Sequence, residues 1–156
     1  MARVGFDSAA AYRIFFPSAL ISVTVGLAAG WISDHVRLNR LLTVQLTGMA
    51  ISMTGLLINT PQLTFGLIVL GNGLSSAMFG VLLGVTWPRY FGSKHLGEIS
   101  GFHMTINVLF SAIGPAFFAL SLRYAGSYSP AIICCLIPVT VLMAMIPKAV
   151  RPPPPI

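Results

Sequence analysis

The sequence predicts an all-α membrane protein with five transmembrane helices, and three features of its composition carry that prediction. Only 8% of the 156 residues are charged, whereas a soluble domain carries about 25%. Apolar residues make up 56%, and the 48 residues 41–88 contain no Asp, Glu, Lys or Arg. A chain so poor in charge cannot cover an aqueous surface, which excludes a soluble fold. Its high apolar content excludes intrinsic disorder.

The five helices follow from the uncharged runs of the chain. A spanning helix needs about 20 predominantly apolar residues, because the hydrocarbon core is roughly 30 Å thick and each residue rises about 1.5 Å. The 41–88 run therefore holds two spans, divided at Asn59-Thr60-Pro61-Gln62, where Pro61 cannot donate a backbone hydrogen bond. We expect helices because every backbone group in lipid needs an internal partner. The predicted spans are 11–32, 41–58, 63–87, 99–122 and 128–146. Residues 1–147 then form one transmembrane domain and residues 148–156 a Pro-rich cytoplasmic tail.

The distribution of positive charge predicts the orientation. With five spans the termini lie on opposite sides, and the side richer in Lys and Arg is cytoplasmic. One set of loops carries six cations, Arg37, Arg40, Arg89, Lys94, Lys148 and Arg151, and the other carries three, Arg3, Arg13 and Arg123. We therefore expect a multi-pass protein of the inner or plasma membrane, with the N-terminus outside. A cleaved signal peptide is the minor alternative, since the uncharged run 14–32 exceeds the usual apolar region of about 7 to 15 residues.

Two loops carry sequence motifs. The first follows the first span and has a glycine, an aspartate four positions later and then basic residues; its motif positions are Gly30, Asp34, His35, Arg37 and Arg40. This loop resembles the signature loop of the major facilitator superfamily, with His35 where Arg or Lys is usual. The second motif, with positions Arg89, Gly92, Lys94 and Gly97, is similar to the loop between the tenth and eleventh helices of oxalate/formate and monocarboxylate-type carriers.

The resemblance implies part of a twelve-helix secondary transporter, which consists of two six-helix halves that rock around a central site. The five spans would be helices eight to twelve, the C-terminal half bundle without its first helix. The implied function is movement of a small solute, with an organic anion as one candidate class, by alternating access. We expect no transport by this chain alone and no cofactor. The implied partners are the lipid bilayer, a small-molecule substrate and either a separate N-terminal half or further copies of the chain.

Polar side chains inside the spans are the candidates for the substrate pathway, because transport requires a wet path through the bundle. His103, Asn107 and Ser111 are spaced by four and share one helical stripe. Asn72, Ser75 and Ser76 share a face of the third span, and Arg13 at the outer end of the first could bind a carboxylate. The alternatives are hydrogen bonds that join helices, and for Arg13 a side chain that reaches the membrane interface.

Other classes of function have less support in the sequence. The spans contain one His, two Cys and no acidic residue, so we expect neither an enzyme nor a metal site; His103 packed on Cys134 or Cys135 would revive the enzyme hypothesis. The cations flank membrane segments, so they indicate lipid headgroups and not nucleic acid. A small membrane scaffold remains the alternative to a transporter, with Gly26/Gly30 and Gly80/Gly84 as helix-packing faces. Asp34 could accept hydrogen bonds from a neighbouring helix N-terminus or pair with Arg37 or Arg40.

Overall fold

The computed structural model describes residues 14–58, 60–92 and 94–146, and within them it contains five α-helices. These are α1 (Phe15–Ser33), α2 (Leu38–Leu57), α3 (Pro61–Phe91), α4 (Leu96–Ala125) and α5 (Ser129–Met145). The all-helical prediction is confirmed. Helices α1 to α4 are long and apolar enough to cross a membrane, whereas α5 is apolar but has 17 residues. Residues 1–13, which include Arg3 and Arg13, and the predicted Pro-rich tail 148–156 lie outside the described residues.

The helices and the predicted spans differ by a few residues at several ends. The third span was expected to end at residue 87, but α3 continues through Pro88 to Phe91 and ends at Gly92. A proline is tolerated there because only one intrahelical hydrogen bond is lost. The fourth span begins earlier than expected, at Leu96, so that the acidic Glu98 lies in the positive first turn of α4. That helix ends at Gly126, whose φ of 64° is the left-handed conformation that glycine adopts without strain.

Helix α3 is the centre of the fold. It packs most extensively against α2 and next against α1, while α5 packs against α2. Consecutive helices run in opposite directions, so one end of the bundle collects the α1–α2 and α3–α4 connections and the end of α5. There Arg89 bonds the Ser33 carbonyl, and the Asn39 amide lies 3.4 Å from the Ile146 carbonyl. We call this the basic end, because the two connections and the adjoining helix turns carry Arg37, Arg40, Arg89 and Lys94.

Small residues allow α2 and α3 to approach closely. Each helix has a glycine followed four residues later by a serine, Gly48 and Ser52 on α2 and Gly71 and Ser75 on α3. A Cβ at Gly71 would lie 2.5 Å from the Ser52 backbone nitrogen and 2.6 Å from the Gly48 carbonyl oxygen. A Cβ at Gly48 would lie 2.9 Å from the Ser75 nitrogen. The two backbones are therefore in direct contact, which only glycine permits at these positions.

The glycine faces expected from the sequence are not the ones used within the bundle. Among the described residues, nothing lies within 4 Å of a Cβ built at Gly30, Gly80 or Gly84, and one at Gly26 would make an ordinary 3.9 Å contact with Ala77. Gly30, Gly80 and Gly84 face outward, and Gly26 is half-buried. Close helix packing in lipid is driven by backbone contact, and here α3 obtains it from Gly71 against α2 and from Gly73 against Ile21 of α1.

Helix α4 stands apart from the other helices. None of its 30 residues is buried, and it makes only sparse contacts with α3 and α5. Its outward side chains include Phe102, Val108 and Phe110, each more than 60% exposed. The largest buried cluster lies instead among α1, α2 and α3, and it consists of Ala29, Leu38, Leu41, Ala77, Met78 and Leu82.

Candidate functional site

The two sequence motifs meet at the basic end. The guanidinium of Arg89, in the last turn of α3, donates a 2.6 Å hydrogen bond from Nη2 to the Ser33 carbonyl oxygen. The same nitrogen lies 3.7 Å from Oδ1 of Asp34, the C-cap residue of α1. The last carbonyls of a helix have no intrahelical partner and carry partial negative charge. Arg89 therefore fixes the end of α1 to the end of α3.

This arrangement changes the interpretation of Asp34. Its ion-pair partner among the described residues is Arg89 of the second motif, and not Arg37 or Arg40 of its own loop. The Asp34 side chain is 79% exposed and the Arg89 side chain 31%, so solvent weakens the ion pair. The hydrogen bond to Ser33 is the stronger part of the contact because it is short and charge-assisted.

The remaining positions of the first motif are more peripheral. Gly30 accepts a 2.7 Å hydrogen bond at its carbonyl from the Ser33 hydroxyl, and Ser33 is almost fully buried. The His35 ring lies 6.4 Å from that of Trp31. Arg37 is the N-cap residue of α2 in an extended conformation, and Arg40 is exposed in the first turn of that helix.

The second motif forms the turn between α3 and α4. Gly92 has a φ of 68°, a conformation that side chains disfavour, and its N–H bonds the Pro88 carbonyl at 3.0 Å. Lys94 and Gly97 are exposed. At the start of α4, the His95 imidazole lies 3.5 Å from the Glu98 carboxylate. This turn therefore presents positive charge close to the α1–α2 connection.

The polar stripe of α4 lies partly against α3. The His103 ring is 5.5 Å from that of Trp87 and 6.2 Å from that of Phe79, centroid to centroid. Asn107 is half-buried and Ser111 is exposed. No hydrogen bond joins these three polar side chains to another described residue, and the buried Nε1 of Trp87 has no partner within the same part of the chain. The polar pattern that singles out His103 gives no indication of Trp87 or Phe79, because both side chains are aromatic.

The polar residues of α3 do not join that stripe. Asn72 and Ser76 are exposed, whereas Ser75 is half-buried where its backbone meets Gly48 of α2. Ser76 lines an open groove of about 370 Å³ between α1 and α3, together with Ser22, Gly26 and Gly80 and four apolar residues, Val23, Leu27, Ala77 and Val81. The structure thus places Ser76 in this groove, Ser75 against α2 and Asn72 at an exposed position, apart from the stripe of α4.

Two other kinds of site, a metal centre and a histidine–cysteine pair, can be compared with residues 14–58, 60–92 and 94–146. No three His, Cys, Asp or Glu side chains in these ranges come together as metal ligands. Cys134 is exposed and Cys135 is half-buried on α5, while the aromatic neighbours of His103 belong to α3.

No protein-family model, curated protein or solved structure matches this chain.

Proposed function

We propose that this chain is part of a secondary active transporter of the major facilitator type. It moves a small solute, with an organic anion as the class we favour, by alternating access. In this proposal all five helices cross the membrane, α5 with a length at the lower end of the spanning range of about 17 to 25 residues. The basic end faces the cytoplasm of a cell whose inner or plasma membrane holds the protein. The chain supplies one wall of the pathway and is not competent alone.

Charge supports the proposed orientation. The basic end carries four cations in its connections and the adjoining helix turns, namely Arg37, Arg40, Arg89 and Lys94. Arg123, in the last turn of α4, lies at the other end. Cations near membrane segments favour the cytoplasmic side, and they also interact with its anionic headgroups. The antiparallel packing of consecutive helices keeps all four of these cations on one side of the bilayer.

The observation that carries the proposal is the polar stripe on an otherwise uncovered helix. His103, Asn107 and Ser111 lie on α4, which has no buried residue. An imidazole and an amide facing hydrocarbon would have no hydrogen-bond partner, so polar groups in membrane helices face a bundle interior or a water-filled cavity. The rest of the described residues supply neither a bundle interior nor a water-filled cavity to Asn107 or Ser111. A pathway between α4 and another polypeptide would give these polar groups both a bundle interior and a water-filled cavity.

The test is uptake in reconstituted vesicles. We expect vesicles that contain only this chain to show no saturable uptake of radiolabelled formate, oxalate or acetate. Clear saturable uptake by the chain alone would overturn the proposal that it is one part of the carrier.

A crosslinking experiment identifies what covers α4. Ser111→Cys, made in a background where Cys134 and Cys135 are Ser, places one thiol on the polar stripe. Thr105→Cys is the matched control, because Thr105 is exposed on α4 away from the stripe and bonds its own helix at the Gly101 carbonyl. We expect the Ser111→Cys thiol, and not the control, to capture a different membrane polypeptide. Equal labelling by lipid-soluble probes at both positions would contradict a shared pathway.

A membrane scaffold is the second candidate function. It is favoured by the outward glycines Gly30, Gly80 and Gly84, which have open space around them and could admit a helix of another chain. Gly80→Leu separates the two functions. It should abolish self-association of a scaffold, whereas in a carrier it should leave the Ser111→Cys crosslink to a different polypeptide in place.

A further inference from the structure

We propose that the basic end binds one anionic phospholipid, whose phosphate group is held by Arg37, Arg40 and Lys94. The inference goes beyond the proposed function, since it requires only that the chain lies in a membrane and holds for a scaffold as well as for a carrier. It rests on three observations: these cations have no partner among the described residues, the two parts of the chain that carry them are joined, and exposed Trp and Tyr side chains lie at the same end of the bundle.

The acidic residues near these cations are paired with other side chains. Asp34 and Glu98 are the acidic residues of the part of the chain that the structure describes. The Asp34 carboxylate lies 3.7 Å from the Arg89 guanidinium, and the Glu98 carboxylate lies 3.5 Å from the His95 imidazole. No other cation within the described ranges has a carboxylate at ion-pair distance.

Arg37, Arg40 and Lys94 form an exposed cationic surface. Arg37 is the N-cap residue of α2, Arg40 lies in the first turn of that helix, and Lys94 lies in the turn before α4. Their side chains donate no hydrogen bond to another described residue, whereas Arg89 donates one. The first turn of α2 contains no acidic residue, so no side chain there offsets the positive charge. A bound anion would relieve the repulsion among these like charges.

Arg89 joins the two parts of the cationic surface. Its guanidinium, at the end of α3, donates a 2.6 Å hydrogen bond to the Ser33 carbonyl at the end of α1. Arg37 follows Ser33 by four residues and Lys94 follows Arg89 by five, so this bond keeps the two connections next to each other. A phosphate group accepts several charge-assisted hydrogen bonds, and arginine donates two of them in parallel. One phosphate can therefore bind cations of both connections.

Aromatic side chains place the cationic surface at the level of the lipid headgroups. Trp31 in the last turn of α1 and Tyr90 in the last turn of α3 are both exposed. Trp and Tyr are enriched where the hydrocarbon core meets the headgroups. Arg37 follows Trp31 by six residues and Lys94 follows Tyr90 by four. The cations therefore lie just beyond this aromatic level, at the depth of the lipid phosphates.

A lipid phosphate fits this surface better than a soluble anion does. The three cations are exposed, so water weakens their attraction for an ion in solution. A phospholipid is held in the membrane by its acyl chains and presents its phosphate at a high effective concentration. Juxtamembrane Lys and Arg attract lipids with a net negative charge, whereas the choline of phosphatidylcholine neutralises its phosphate. The expected occupant is therefore an anionic phospholipid.

Native mass spectrometry of the full chain tests the inference by counting bound lipids. The chain is released from micelles that contain equal amounts of phosphatidylglycerol and phosphatidylcholine with identical acyl chains. We expect it to retain one phosphatidylglycerol in preference to phosphatidylcholine. Each Lys or Arg near an anionic lipid contributes about fivefold to binding, so Arg40→Gln should lower the preference about fivefold and Arg37→Gln/Arg40→Gln about 30-fold.

Arg123→Gln is the matched control, because Arg123 lies in the last turn of α4 at the other end of the bundle. It removes one positive charge, as Arg40→Gln does, and should leave the preference unchanged. Equal losses in these two variants would show that net charge alone attracts the lipid and would overturn the proposal. The absence of any preference in the unsubstituted chain would also overturn it.

A second experiment distinguishes a lipid from a soluble anion. Spin-labelled phosphatidylglycerol is added to the chain in phosphatidylcholine nanodiscs, and the motionally restricted fraction of the label is measured. We expect inorganic phosphate to reduce this fraction no more than sodium chloride of equal ionic strength does. Selective displacement by phosphate would assign the surface to a soluble anion and overturn the proposal.

Lys94→Gln provides a further test if the arginine variants do not fold. Lys94 is exposed in a turn, and circular dichroism verifies that the variant keeps its helices. We expect a preference for phosphatidylglycerol about fivefold below that of the unsubstituted chain. An unchanged preference would mean that the α3–α4 turn does not contact the lipid, which overturns a site shared by the two connections.

Discussion

Gly71→Ala tests whether direct contact between the α2 and α3 backbones holds the bundle together. The new Cβ would lie 2.5 Å from the Ser52 nitrogen, 2.6 Å from the Gly48 carbonyl oxygen and 2.9 Å from the Ser52 Cα. All three atoms belong to the backbone, so no side-chain rotation can relieve the overlap. Contacts between heavy atoms are favourable near 3.5 to 4.0 Å, so the helices must separate by about 1 Å.

The expected magnitude follows from that separation. A gap of about 1 Å forfeits a quarter to a half of each dispersion contact across the interface, and overpacking of this kind costs about 1 to 3 kcal/mol. Alanine also has a helix propensity roughly 1 kcal/mol better than glycine. Gly80→Ala is the matched control because Gly80 lies in the same helix with nothing within 4 Å. The difference in the free energy of unfolding between the two variants therefore isolates the cost of the overlap at residue 71.

The assay is unfolding by sodium dodecyl sulfate in mixed micelles, followed by circular dichroism. We expect the free energy of unfolding of Gly71→Ala to be about 1 to 3 kcal/mol lower than that of Gly80→Ala. Equal values for the two variants would refute the reasoning, because they would mean that α2 and α3 do not meet at Gly71.

Two further predictions concern the basic end and α5. Arg89→Gln should lower the free energy of unfolding by about 1.5 to 3 kcal/mol, since it removes a charge-assisted hydrogen bond. Asp34→Asn should lower it by less than about 1 kcal/mol, because the Asp34 side chain is 79% exposed. Equal losses of free energy in the micelle assay would show that the ion pair dominates. Cys134 is exposed on α5, and if that face meets lipid, a charged thiol reagent should modify it in detergent-unfolded protein and not in intact vesicles. Rapid modification in sealed vesicles would place that face in water and contradict a membrane-spanning α5.

Much of the fold is predictable from the sequence because charge and hydropathy act locally. The uncharged run 41–88 marks both α2 and α3, and the turn around Pro61 divides them as expected. Helix ends are less predictable, because α3 continues through Pro88 and ends at Gly92, and α4 ends at Gly126; both of these glycines have a positive φ.

The candidate site is less predictable because it depends on contacts between distant residues. Gly26/Gly30 and Gly80/Gly84 have the spacing that allows close packing, yet the structure uses Gly71 and Gly73. Spacing shows which residues share a face of a helix, but the partner of that face depends on how the helices cross. For the same reason the sequence indicates His103 as a polar candidate and gives no sign that Trp87 lies beside it.

The order in which the helices contact one another has a consequence for biosynthesis. The ribosome makes the chain from its N-terminus onward, and transmembrane helices that insert separately assemble afterwards. Helices α1, α2 and α3 are consecutive and share the largest buried cluster, so this trio can form while the ribosome is still translating α4. Helix α5 then returns past α4 to dock on α2, where Val139 and Ile146 pack around Leu46. A stalled or prematurely terminated polypeptide that ends after α3 would thus already hold its tightest contacts.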